Sequence, residues 1–383
     1  MNSNTSDYYI PFNLCERAYL LFWNEQNAKL YLPNTILLAL YLIVGVIGNV
    51  TVILVYQFRL SKQKDGRYFV APLAWIDFIA LIVTASLNLT QNTKQIIFPG
   101  LGVCKMLKYF SYSTTCASLY LLAAIAVQRY LKICRPFGRQ MSLCWKRVSV
   151  CMCAMISLIV YTPVIFFYGV VEKRNPVFGN VTVHQCSILP NSPKKLKLLS
   201  IFQGFGFFGT ICNVIIITVL YSIITISIVK QLRKMKTIKV KPAPSSGVAS
   251  NTTNSTCITK TSNSAQSVSN NSDTETNIDN LHKPNTGKTI QSPSNDKMKS
   301  AFRISFMFMT ISVVGFLAYL PSWMLIVIET NNPSFWDQLS VEAFQVCLTL
   351  RRMYMINHLA NPFIYGVFDK AFRQEMRKLF CKK

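Results

Sequence analysis

Residues 35–58 read TILLALYLIVGVIGNVTVILVYQF, twenty-four residues without one charged side chain. The hydrocarbon core of a bilayer takes about 20 apolar residues per crossing helix, so this stretch reads as a membrane span. Working outward from it, Tyr68–Thr93 holds only Asp77 as a charge, and Tyr109–Gln128, Val148–Val171, Leu198–Val229 and Ile304–Ile328 hold none. Ala343–Phe368 is apolar apart from Arg351 and Arg352. Membrane β-strands would instead be short and alternating. The expected fold is all-α: a seven-transmembrane helix bundle with a short amphipathic helix at its cytoplasmic side. Composition agrees, with 51% hydrophobic and 14% charged residues, against about 25% charged in a typical soluble domain. A chain disordered throughout and a small disulfide scaffold are both excluded.

Seven crossings leave the termini on opposite sides. Arg59–Arg67, Arg129–Arg147, Lys230–Arg303 and the tail hold four, six, twelve and six Lys or Arg. The segment before the first span, Lys94–Lys108, Lys173–Lys197 and the connection before the seventh span hold two, three, five and none. Basic residues stay cytoplasmic, which puts the N-terminus outside. The net charge of +25 is then explained by topology and contact with anionic lipid, and no nucleic-acid partner is expected.

The expected divisions are an extracellular segment over 1–33, helices one to five over 34–232, a disordered third cytoplasmic loop over 233–298, helices six and seven over 299–367, and an amphipathic helix and tail over 368–383. The long loop is rich in Ser, Thr and Asn, a composition that does not pack. Its hydroxyls are candidate phosphate acceptors, with an inert spacer as the alternative. The N-terminal segment lacks a signal-peptide core, so span one is expected to serve as an uncleaved anchor. Asn4 and Asn180 open glycosylation sequons on the outer side. In the tail, Phe368, Phe372, Met376 and Phe380 recur at helical spacing among Lys370, Arg373, Arg377 and Lys378. That is a basic helix for the inner leaflet, and Cys381 beside it is a palmitoylation candidate.

Asp77 is the one acid in mid-span, where ionisable groups are costly and therefore functional candidates. Asn49, Ser118, Asn357 and Asn361 are polar groups able to reach it in a bundle. Such a set suits a small hard cation or a proton; polar contact between helices is the alternative reading. Pro163, Pro321 and Pro362 interrupt spans four, six and seven and permit kinks. Cys15, Cys104 and Cys186 fall outside, where disulfides persist. A bridge between Cys104 and Cys186 would pin the outer loop over the bundle and leave Cys15 over, with Cys347 as a candidate partner. His184, His282 and His358 have no zinc-site spacing, and no phosphate loop or acid pair is present. No catalytic set emerges, so an enzyme is not expected.

These features meet at fixed spacings. Asn361-Pro362-Phe363-Ile364-Tyr365 ends span seven, and Gln128-Arg129-Tyr130 ends span three, with Cys104 near its start. Gly48-Asn49 lies in span one, Leu73-Ala74-Trp75-Ile76-Asp77 in span two, Tyr221 in span five and Pro321 in span six. Together they resemble the rhodopsin-like (class A) family of G-protein-coupled receptors, over roughly Thr35–Cys381 without the long loop. The resemblance implies a receptor whose extracellular ligand stabilises an open bundle. The inner half of span six then swings out and admits a heterotrimeric G protein, with Arg129, Tyr130, Tyr221 and Tyr365 at the coupling crevice. Tyr319, Pro321, Asn361 and Pro362 would form the switch. Asp77, Ser118, Asn357 and Asn361 would match the family's sodium site, the one cofactor implied, and Cys104–Cys186 its disulfide. Receptor kinase and arrestin are further implied partners.

The chain departs from the family pattern at several positions. Gln128 stands where an acid usually pairs with the neighbouring Arg, and Ala301 where some members place a second acid, so the resting lock is expected to be weak. Tyr319 replaces a Trp, Asn213 a Pro, and His358 a Ser that often helps to hold sodium. Ser111 stands where amine receptors carry an Asp, and Met355 where opsins carry the retinal Lys, so neither ligand class is expected. Lys108, Ser111, Tyr112, Tyr319 and Arg351 are the candidate ligand pocket. Arg351 is read as the contact for a ligand carboxylate, as in a peptide, with an internal pair to Glu329 or Glu342 as the alternative. A peptide-receptor-like protein is the leading reading. A non-signalling or scavenging receptor on the same fold is the second, and a transporter the third.

Overall fold

The computed structural model of the protein describes residues 12–60, 66–175, 181–189, 193–240, 295–332 and 334–380. The polar segment before the first span is not irregular: Phe12–Leu30 is a helix, α1. Pro33 stands in the first turn of the next helix, α2 (Leu32–Ile53), where its missing N–H costs nothing. Helix α2 continues as a π-helical turn over Leu54–Arg59. Spans two to four are α3 (Val70–Thr93), α4 (Leu101–Cys134) and α5 (Leu143–Tyr161). Gly100 precedes α4 at φ 136°, a conformation that a Cβ would strain. The Ser142 hydroxyl caps α5 by accepting from Trp145 N at 3.3 Å. Pro163 then turns the chain into the short α6 (Val164–Phe167) and the antiparallel hairpin β1 (Tyr168–Asn175) and β2 (Val181–Ile188), with Val170 opposite Cys186.

Span five is α7 (Pro193–Val240), 48 residues without an interruption. Asn213, unlike a proline, keeps a backbone N–H for this helix. At 1.5 Å per residue the helix is about 70 Å long and outreaches a bilayer. Span six is α8 (Asn295–Asn331), with Pro321 inside. The expected loop boundaries need correction: 233–240 and 295–298 are helical, because these spans extend past their apolar stretches. Residues 241–294, Asn4, Asn180 and Cys381 lie outside the described residues.

Six helices among the described residues are long and apolar enough to cross a membrane. The seventh crossing is divided. Helix α9 (Val341–Arg352) passes through a 3-10 turn at Met353–Met355 into α10 (Ile356–Phe368). The tail helix is α11 (Lys370–Phe380). Cys347 is a free thiol among the described cysteines, and the side chain of Cys15 lies outside the described residues.

Small residues bring the helices close. A Cβ on Gly48 of α2 would lie 2.8 Å from Pro362 of α10, and one on Gly315 of α8 would lie 2.5 Å from the Asn357 side-chain oxygen. The largest apolar core fills the Arg129 end of the bundle, around Val52, Leu73, Leu121, Ile125, Phe308 and Tyr365. Polar side chains occupy the middle, and the other end opens into a cavity beside the disulfide.

Candidate functional site: a cavity, a polar core and a buried arginine

Cys104 of α4 and Cys186 of β2 are disulfide-bonded, which ties the hairpin to the top of span three. The hairpin is held from its other side by His184, whose N donates to Ile96 O (2.9 Å) and whose O accepts from Phe98 N (3.0 Å). Helix α1 joins this frame. Asn24 donates to Thr93 O at 2.8 Å and accepts from Ile96 N at 3.1 Å. Below the frame lies a cavity of about 1280 Å³ that includes Tyr31, Lys108, Tyr112, Tyr319, Arg351 and Arg352 in its lining. Ser111 lines it too, so all five expected pocket residues share one cavity.

Of its charges, one pair is neutralised internally. The Arg351 guanidinium pairs with Glu329 (Nε to Oε1, 3.0 Å), and Trp336 donates to the same oxygen at 3.1 Å. The internal pair is therefore formed, and with Glu329 rather than Glu342. The cations left over are two. Arg352 donates to Asn88 Oδ1 at 2.5 Å, and its buried Nε has no partner among the described residues. The Lys108 ammonium lies 5.2 Å from the centroid of the Tyr168 ring. No carboxylate of the described residues pairs with either. The adjacent Arg pair in a span was visible in the sequence; which of the two is neutralised was not, because that depends on how α9 faces α8. The contribution of α1 to the wall carried no signal in the sequence.

In mid-bundle, Asp77 has no exposed surface. Its Oδ1 accepts from Ser118 Oγ (2.8 Å) and lies 2.9 Å from His358 Nδ1, and its Oδ2 accepts from Asn361 Nδ2 (2.5 Å). Asn357 joins through Ser118 (3.4 Å) and reaches the Tyr319 hydroxyl at 3.5 Å. Four of the expected groups thus converge with Tyr319. Asn49 does not reach Asp77: it donates instead to Gly45 O and His358 O, each at 2.9 Å.

At the far end Arg129 is buried at 1% exposure. With Gln128 beside it instead of an acid, the guanidinium hydrogen-bonds to Gly66 O and lies over the Phe308 ring of α8, 4.7 Å from its centroid. Tyr221 and Tyr365 are buried in the same core, and Tyr130, partly buried, packs against it. Tyr365 packs edge-on against Tyr56 and Phe372. Asp369 starts α11 by accepting from Ala371 N (2.9 Å), and it binds Arg67 at 2.6 and 3.0 Å and the Tyr56 hydroxyl at 2.8 Å. Burial would raise this carboxyl. The hydrogen bond and charge of Arg67, with the Tyr56 hydroxyl, outweigh burial and hold it below its ordinary range.

The profile of the family described as "7 transmembrane receptor (rhodopsin family)" matches residues 48–365. The chain belongs to this family. Three relatives show how divergent a member it is. It is 22% identical to the thyrotropin-releasing hormone receptor of Gallus gallus over 91% of this chain and 79% of that one. It is 24% identical to the neuromedin U receptor homolog nmur-2 of Caenorhabditis elegans over 51% and 53%. It is 28% identical to the probable G-protein coupled receptor 19 of Mus musculus over 33% and 30%. The matched part of the chain thus spans less than a third of the mouse receptor and about half of the nematode one. The family is one of receptors rather than enzymes.

Proposed function

We propose that this protein is a plasma-membrane G-protein-coupled receptor with its N-terminus and cavity outside and its Arg129 end in the cytoplasm. Binding of an extracellular peptide with an acidic group opens α8 at the Arg129 end and admits a heterotrimeric G protein. The observation that carries the reading is the linked series of sites: an open cavity at the disulfide end, the Asp77 cluster in the middle, and Arg129 lying on α8 itself. Tyr319 both lines the cavity and contacts Asn357, so a ligand that moves this ring acts on the Asp77 cluster directly. Pro321 lies two residues further along α8 and Pro362 follows Asn361 on α10, which makes these the bending points.

The acidic group is supported by the cavity's charges. Buried cations want an anionic partner, and Arg352 and Lys108 are left without one once Glu329 has taken Arg351. Relatives named for neuromedin U and thyrotropin-releasing hormone support a peptide. Receptor kinase and arrestin are the further cytoplasmic partners, and α11 rests on membrane lipid.

The test is a G-protein dissociation panel in cells with confirmed surface receptor, run without ligand and against a peptide library, with Arg129→Ala as control. A response lost in the control supports coupling and names the G protein. Silence at confirmed surface density overturns the coupling reading in favour of a non-signalling receptor, the reading to which the departures at Gln128, Asn213 and Tyr319 point.

A further inference from the structure

The family's seven-helix bundles imply a sodium ion beside the acid of span two, and the residues around Asp77 can be tested against that ion. A hard cation is held by several oxygen atoms with lone pairs aimed inward. Here two hydrogen-bond donors and an imidazole nitrogen converge on the carboxylate instead. Ser118 Oγ and Asn361 Nδ2 donate to Oδ1 and Oδ2 at 2.8 and 2.5 Å. His358 Nδ1 is 2.9 Å from Oδ1, so a ring nitrogen of the chain stands against the carboxylate where a cation bound by that oxygen would sit. The remaining amide of the group, Asn357, also turns its nitrogen inward, toward Ser118. Its oxygen faces Gly315, where a Cβ would stand 2.5 Å away.

The imidazole cannot easily step aside. His358 has no exposed surface. Its backbone carbonyl is held by Asn49 at 2.9 Å, and its Nε2 lies 3.5 Å from Thr115 Oγ1 of α4. The ring therefore bridges α3, α10 and α4 through the position beside Asp77.

We propose that the His358 imidazole occupies the place beside Asp77 that a sodium ion would need, so that this receptor takes no sodium there and is stabilised by its own side chain instead. The donor set around Asp77 does not fit the ion, and the substitution of one residue accounts for the misfit. The inference is independent of the ligand and of G-protein coupling.

The experiment is thermal unfolding of the purified full-length receptor in sodium chloride and in N-methylglucamine chloride, each at about 150 mM to match ionic strength. The expected result is the same Tm in both salts for the wild type. His358→Ser removes the ring and supplies a hydroxyl oxygen. It is expected to gain a sodium-specific rise of roughly 2–5 °C, lost again when Asp77→Asn is added. A sodium-specific rise in the wild type that Asp77→Asn abolishes overturns the proposal, and that comparison needs no His358 variant to fold. A folded His358→Ser, or His358→Ala where the serine variant does not express, that gains no sodium response also overturns it.

Discussion

The guanidinium of Arg129 lies 4.7 Å from the centre of the Phe308 ring, linking the end of α4 to α8 through a cation and an aromatic face. Among the described residues no carboxylate pairs with it. A desolvated contact of this kind is worth about 1–2 kcal/mol, and it is made to the helix that moves in the proposed function. Phe308→Leu keeps an apolar side chain and removes the ring. Ligand-free G-protein dissociation at matched surface density should rise roughly fivefold or more, while Phe308→Tyr should stay near wild type. Equal basal activity in all three would mean that this contact does not hold the resting state.

Arg351 and Glu329 couple α9 to α8 across the cavity at 3.0 Å, with Trp336 as a third member. Removing one partner strands the other in a half-buried site. Arg351→Ala alone should therefore lower Tm more than the double variant Arg351→Ala/Glu329→Ala, with a coupling energy on the order of 1 kcal/mol. Strict additivity in unfolding of the purified variants would show that the pair contributes nothing.

Arg352 and Lys108 are the cations open to a ligand. Charge-assisted hydrogen bonds contribute about 1.5–3 kcal/mol, or roughly 10- to 100-fold in potency. Arg352→Gln and Lys108→Met should each weaken the response to an active peptide by such a factor, and by more than they weaken the response to the same peptide with its acidic group amidated. Equal losses for both peptides would remove the carboxylate contact from the account.

Asp369 joins α11 to Arg67 and Tyr56 through a carboxyl held below its ordinary value of 3.8. Because the folded value is the lower one, the network's stabilisation is complete above the unfolded pKa and is lost as pH falls through the folded pKa. Asp369→Asn should lower stability by on the order of 3 kcal/mol, by the same amount from about pH 5 to pH 8, with the gap closing below about pH 4. A gap that instead widens under acid would contradict the depressed carboxyl. Tm measured against pH for the two proteins reads this directly.

The sequence by itself determined the seven crossings, the family and the residues that matter at each level, because a membrane span is a local property: about twenty apolar residues in a row need no knowledge of their neighbours. Asp77 stood out of the same apolar background as a costly group, and Cys104 and Cys186 as outer cysteines; Arg129 and Tyr365 were marked by the resemblance to the family's motifs. Partnership was not local. Arg351 finds Glu329 22 positions away, Arg352 finds Asn88 at 264, His358 finds Asp77 at 281, and Asp369 finds Arg67 at 302. The sequence placed Arg351 and Arg352 side by side, yet a helix turns successive residues about 100° apart. Only the packed rotation of α9 against α8 and α3 decided which of them is neutralised and which is left facing the cavity. The same holds at Asp77, where sequence offered a ring of possible cation ligands. The helices approach closely at Gly48 and Gly315, and in that packing α10 presents an imidazole, rather than an oxygen, to the carboxylate.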